Sequence, residues 1–167
     1  MKRNLGKEFE QNFRKSVPDS LKFYYYRIKD NTSSFYGGND NLRFSQSNIA
    51  DAFMLYTNLE LNYTCLFIFE FKHHKGKSLP LNCIRENQLS EMYKASKYLG
   101  VIPMLVVFFS DVERCFALNI EQVCKFKEVE DRKSIPISFF ETNGIEIKTT
   151  KLRTQFRYDI LDFVNNI

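Results

Sequence analysis

The chain has 167 residues, a formal net charge of +4 and a pI of about 8.8. That length suits one compact domain, residues 1–167, and is short for two well-packed ones. Aromatic residues make up 16% of the chain while Gly 6 and Pro 4 are sparse, which argues against disordered and fibrous classes. No run reaches the apolar length of a membrane span, and Met1-Lys2-Arg3-Asn4-Leu5-Gly6-Lys7-Glu8 lacks the apolar stretch of a signal peptide. A cytoplasmic protein without membrane contact is the expectation. Cys65, Cys83, Cys115 and Cys124 show no Cys-x-x-Cys spacing and are expected to be reduced, two of them inside apolar strands. His73, His74 and Cys83 have no fourth partner at a zinc-ligand spacing.

In chain order, Leu5, Phe9 and Phe13 recur every four residues and predict a helix from Gly6 to Lys15, stopped by Pro18. The aromatic run Leu21 to Ile28 predicts a first strand. Residues 30–47, rich in Asn, Ser, Gly and Asp, read as a long flexible loop within the domain. Strands are predicted at Ile49 to Tyr56 and Tyr63 to Lys72, paired antiparallel, then a helix from Glu86 to Tyr98 with a stop at Gly100. Buried strands follow at Pro103 to Ser110 and Arg114 to Leu118, then a short helix from Ile120 to Cys124 capped by Asn119. Beyond Pro136 the pattern predicts a turn at Gly144, a short strand from Ile145 to Thr149 and a closing helix from Tyr158 to Val164. The order α-β-β-β-α-β-β heads an α/β fold.

The run Cys65-Leu66-Phe67-Ile68-Phe69-Glu70-Phe71-Lys72 ends an apolar strand with a carboxylate and an ammonium two positions apart, hence on one face. Glu146-Ile147-Lys148 and Asp131-Arg132-Lys133 repeat the spacing, so the triplet alone reads as an ordinary strand-end ion pair rather than as chemistry. Asp51 distinguishes the first, because it lies on the strand paired with that of Glu70, where the two acids can meet across the ladder. Magnesium takes oxygen ligands and keeps several waters, so two carboxylates, a main-chain carbonyl and a nearby cation suffice for phosphodiester hydrolysis. Asp51, Glu70 and the Phe71 carbonyl form the expected metal set, with Lys72 beside the reacting phosphate. Manganese is expected to substitute for magnesium.

Taken together, an N-terminal helix bearing Gly-x-x-x-Glu, an Asp opening a strand and a Glu-x-Lys ending the next resemble the PD-(D/E)xK nuclease superfamily. Within it, Phe67 to Lys72, Lys77-Ser78-Leu79-Pro80-Leu81, Glu86 to Met92, Arg132-Lys133-Ser134-Ile135 and Arg157-Tyr158-Asp159-Ile160 are similar to the RecU-type Holliday junction resolvases. The resemblance implies a restriction-endonuclease-like core, with a mixed central sheet flanked by helices. It also implies catalytic roles for Asp51, Glu70 and Lys72, joined by Glu10 of the first helix and Gln88 of the second. A homodimer acting on branched DNA, four-way junctions in particular, follows from it too, with residues 30–47 where that family carries a stalk. Two departures stand out: Arg43 is the one basic residue of that loop, and Ile49-Ala50 precede Asp51 where cellular members carry threonines. The compact N-terminus suits a phage-encoded, minimal version in a bacterial cell.

Basic residues cluster at the N-terminus, after the Glu70 strand and in the last third of the chain, and clusters of this kind suit phosphate contacts. The expected DNA-binding residues are Lys2, Arg3, Lys7, Arg14, Arg43, Lys75, Lys77 and Arg85. Two rival functions remain open: a general or restriction-type nuclease of the same fold, and a DNA-binding module without catalysis.

Overall fold

A computed structural model describes residues 4–28 and 48–167. Lys2, Arg3, Arg43 and the whole of the 30–47 loop therefore lie outside the described residues.

Helix α1 (Leu5–Ser16) starts where the Asn4 side chain accepts the Lys7 amide, and it ends two residues before Pro18, with Val17 as its C-cap. Strand β1 (Phe23–Arg27) pairs antiparallel with β2 (Ala52–Asn58), and β2 pairs antiparallel with β3 (Tyr63–His74). After β3 come β4 (Ser78–Pro80), a 3-10 turn (Leu81–Cys83) and α2 (Glu86–Ala95). Strand β5 (Val101–Phe109) then returns parallel to β3. A parallel return requires a crossover, and its helix must lie on one face of the sheet. Strands β5 and β6 (Arg114–Asn119) are antiparallel, and α3 (Ile120–Val129) runs on from β6 with Asn119 as its cap. The remainder is β7 (Ser134–Pro136), α4 (Ile137–Asn143), β8 (Ile145–Ile147), β9 (Thr149–Lys151), β10 (Phe156–Tyr158) and α5 (Ile160–Asn165).

The central sheet is mixed, in the order β1-β2-β3-β5-β6-β8, with β4 and β7 forming one small ladder and β9 and β10 another. Alternation along β3 divides the core. Phe67, Phe69 and Phe71 face α1 and α5, where Phe13 meets Phe69 and Phe71 at ring-centroid distances of 5.4 and 4.8 Å. Ile68, Glu70 and Lys72 face the other way, toward the layer of Leu89, Met92, Val123 and Phe140 contributed by α2, α3 and α4. Among the described residues no helix is long and apolar enough to cross a membrane.

Several boundaries differ from the sequence reading. Strand β3 continues two residues past Lys72, because its parallel pairing reaches His74↔Phe109. Helix α2 stops at Ala95, and the chain turns through Ser96 to Gly100, whose φ of +79° fits glycine. Helix α3 runs on to Val129 because Phe126 is buried in the core. The C-terminal helix begins at Ile160, where the Asp159 side chain caps it; Tyr158 is the last residue of β10. The strand expected from Ile145 to Thr149 is divided between β8 and β9.

Candidate functional site

The site forms at the end of β3 on the α2 side of the sheet. Glu70 is only 2% exposed, yet its carboxylate has two donors. Lys72 Nζ donates to Oε1 at 2.5 Å, and Gln88 Nε2 donates to Oε2 at 2.9 Å. Each donor comes from local structure: Lys72 shares the face of Glu70 by strand alternation, and Gln88 is in the first turn and a half of the crossover helix, beside the buried Leu89. Gln88 Nε2 also lies 3.4 Å from the Asn48 carbonyl, while its Oε1 is buried with no partner among the described residues.

Asp51 lies one residue before β2 and is tied down on three sides. Its N–H donates to the Phe69 carbonyl at 2.9 Å, its carbonyl accepts the Ile28 N–H at 2.8 Å, and its Oδ2 accepts the Phe71 N–H at 2.7 Å. The Asp51 carboxylate thus sits against the main chain between Glu70 and Lys72. Its charge is felt by Glu70: burial first, then Asp51, push the Glu70 carboxyl up to about 7, against the opposing pull of Lys72 and Arg85. A carboxylate pair of this kind, with a buried orphan acceptor nearby, is a donor set that a hard divalent cation fits. Among the described residues no group of three or more His, Cys, Asp or Glu side chains could hold a metal, so a cation here would rely on Asp51, Glu70, main-chain oxygen and water.

Glu10 is on the other side of the sheet, on α1, where Arg27 Nε donates to its Oε2 at 2.6 Å. Its neighbourhood still borders Asp51. Burial and the charges of Glu10 and Asp51 all raise the proton affinity of the Tyr25 phenol, whose hydroxyl is buried with no hydrogen-bond partner among the described residues. Tyr25 and Arg27 have no motif to announce them; strand alternation, which puts both on the α1 face of β1, is the one signal the sequence carries. Arg85, the residue before α2, is exposed and close enough for its charge to act on Glu70. Lys7, Arg14, Lys75 and Lys77 are exposed as well, spread over α1 and the turn after β3.

The two lookalike triplets have other surroundings. Glu146 pairs with Arg114 and Lys148 with Asp162, all at the surface, and Asp131, Arg132 and Lys133 are exposed outside any regular element. The segments Ser78-Leu79-Pro80 and Ser134-Ile135-Pro136, far apart in the chain, pair as the β4–β7 ladder, with a 2.7 Å bond between the two serine hydroxyls.

Fold and site together define a mixed α/β domain that presents a buried carboxylate, an ammonium and a carboxamide at one strand end. The model of the RecU family, recombination protein U, matches residues 61–166, a span holding Glu70, Lys72 and Gln88. Similar proteins include the SPβ prophage-derived uncharacterized protein YotM of Bacillus subtilis strain 168, 27% identical over 170 residues, covering 93% of this chain and 82% of that protein. The Holliday junction resolvase RecU of Shouchella clausii strain KSM-K16 is 35% identical over 83 residues, which is 48% of this chain and 40% of that protein. The chain belongs to the RecU family.

Proposed function

We propose that this protein is a magnesium-dependent endonuclease that resolves four-way DNA junctions by paired nicking, with manganese able to replace magnesium. The observation that carries the reading is the buried Glu70, held by Lys72 and Gln88 with the Asp51 carboxylate facing it, in a chain of the RecU family. The PD-(D/E)xK arrangement is the reading that accounts for all of these residues at once. Asp51, Glu70 and the Phe71 carbonyl would hold the cation, which supplies charge neutralisation at the scissile phosphate and an acidified water.

The chain's own residues have distinct tasks. Gln88 fixes the Glu70 carboxylate from the α2 side, so that its free lone pairs face the open strand end. Lys72, 21% exposed at its side chain, is wet enough to reach a phosphate, and its ammonium orients the attacking water or stabilises the charge that develops on phosphorus. The Phe71 amide holds the Asp51 carboxylate in place. Glu10 acts from behind the sheet, with Arg27 and Tyr25, on the position of Asp51. Arg85 near Glu70, Lys75 and Lys77 after β3, and Lys7 and Arg14 on α1 supply phosphate contacts. Two sites related by the dyad of a homodimer account for nicks in opposing strands.

Cleavage of a synthetic four-way junction with magnesium tests the assignment. Lys72→Ala is expected to lower the rate by about 10²–10³, the loss typical when one preorganised charge-stabilising donor is removed. Glu70→Ala is expected to abolish cutting. Wild-type rates in both variants rule the site out.

A further inference from the structure

Three adjoining cavities run along α1 on the face of the sheet opposite Glu70. The widest, about 360 Å³, lies between the first half of α1 and the β9–β10 hairpin, and His73, the residue after Lys72, forms part of its wall. The next, about 180 Å³, shares Asn12, Gln155 and Phe156 with it, and the third, about 330 Å³, shares Ser16 and Arg157 with the second. They make one groove from Leu5 to Pro18, some 20 Å at the helical rise of about 1.5 Å per residue. Its floor is fixed: Ser16 Oγ accepts the Tyr158 N–H at 3.0 Å and donates to the Asn12 carbonyl at 2.7 Å.

The groove carries a charge pattern. Lys15, Arg153 and Arg157 are exposed along it and make no ion pair among the described residues, whereas neighbouring Lys148 and Lys151 are taken up by Asp162 and Glu113. Inside, the half-buried Phe156 offers an aromatic wall, Asn12 is buried, and the Tyr158 hydroxyl is buried with no partner among the described residues. The acids lining it are Glu8 and the paired Glu113 in the widest cavity and Asp159 in the third. Cations without ion pairs among the described residues, set along a groove with aromatic and amide groups within, match an unpaired nucleic-acid strand, whose phosphates track the cations while a base enters the groove.

We infer that this groove binds one unpaired strand of the DNA substrate, phosphates on Lys15, Arg153 and Arg157 and a base against Phe156, resting on the DNA-processing reading above. A strand leaving the cutting site past the end of β3 meets the groove at His73.

The test is fluorescence titration of the full chain, in chelator, with a short single-stranded oligonucleotide carrying 2-aminopurine. The triple variant Lys15→Ala, Arg153→Ala, Arg157→Ala is expected to bind at least about tenfold more weakly and to lose about 2 from the salt slope, three phosphates at about 0.7 each. Phe156→Leu is expected to lose the base quenching while still binding the strand through the three cations, with a melting curve reporting separately the lost packing on Phe108. Lys125→Ala, an exposed lysine on α3, serves as the control and is expected to bind like wild type. Wild-type affinity in the triple variant, or equal loss for blunt duplex and single strand, overturns the groove. The readout needs no cleavage, so the two readings fail separately. Cutting with groove-independent strand binding sinks the groove alone, and groove-dependent binding without cutting under any divalent metal sinks the nuclease alone.

Discussion

Glu70 holds its proton more tightly in the native protein than in the unfolded chain, because burial and the facing Asp51 outweigh Lys72 and Arg85. With a folded value of about 7 against about 4.3 unfolded, the native state binds the extra proton between those limits. The stability this contributes is therefore full at acid pH and is lost as pH rises through about 7. Thermal melts of metal-free protein should show a decline between about pH 5 and about pH 8, on the order of 3 kcal/mol, that is absent in Glu70→Gln. An equal decline in that variant contradicts the burial argument. Added magnesium or manganese should restore wild-type stability at the alkaline end and leave Glu70→Gln nearly unmoved. The Glu-x-Lys spacing and the acid before β2 are legible in the sequence because strand alternation and antiparallel pairing are local rules. The hydrogen bond from Gln88 is not, since it depends on where the crossover helix lands. Glu10 shows the limit from the other side: its place on α1 is legible, but its bond to Arg27 depends on how that helix packs on β1.

At the scale of elements, long strands and amphipathic helices follow from their apolar patterns, and the short pieces do not. The three-residue strands β4, β7, β9 and β10 are too brief to carry a period, and β4 finds its partner only because Ser78 is brought opposite Pro136. Helix α4 begins directly after Pro136 with Ile137, without a capping side chain, so nothing local marks its start. Its end is better marked. A Cβ on Gly144 would lie 2.8 Å from the Phe140 carbonyl oxygen and 2.9 Å from that of Ala117, both main-chain atoms that cannot step aside. Gly144→Ala should destabilise the protein by about 1–3 kcal/mol, read as a lower denaturant midpoint with an unchanged slope. A neutral result would mean that β6 and α4 move apart freely. Ser16 joins α1 to β10, and Ser16→Ala leaves the buried Tyr158 N–H without its acceptor, at a cost of about 1–3 kcal/mol in the same measurement.

For the whole molecule, the β1–β2 end of the sheet leaves Tyr24, Tyr26 and Leu55 at the surface, with exposures of 58%, 43% and 40%, and Tyr26 stacks on Phe53. An aromatic face of this kind suits burial against a second copy, which the proposed paired nicking calls for. Light scattering on purified protein should give twice the 19.9 kDa chain mass. A concentration-independent monomer that still nicks both strands would contradict the paired-site account. The central claim, that this RecU-family chain cuts branched DNA through Glu70 and Lys72, is met most directly by one experiment. Wild-type protein is incubated with magnesium and an equal mixture of a labelled four-way junction and a linear duplex of matched sequence. The account predicts symmetrical nicks in the junction, little cutting of the duplex, and no product with Glu70→Ala. Equal cutting of both substrates, or product that survives Glu70→Ala, contradicts it.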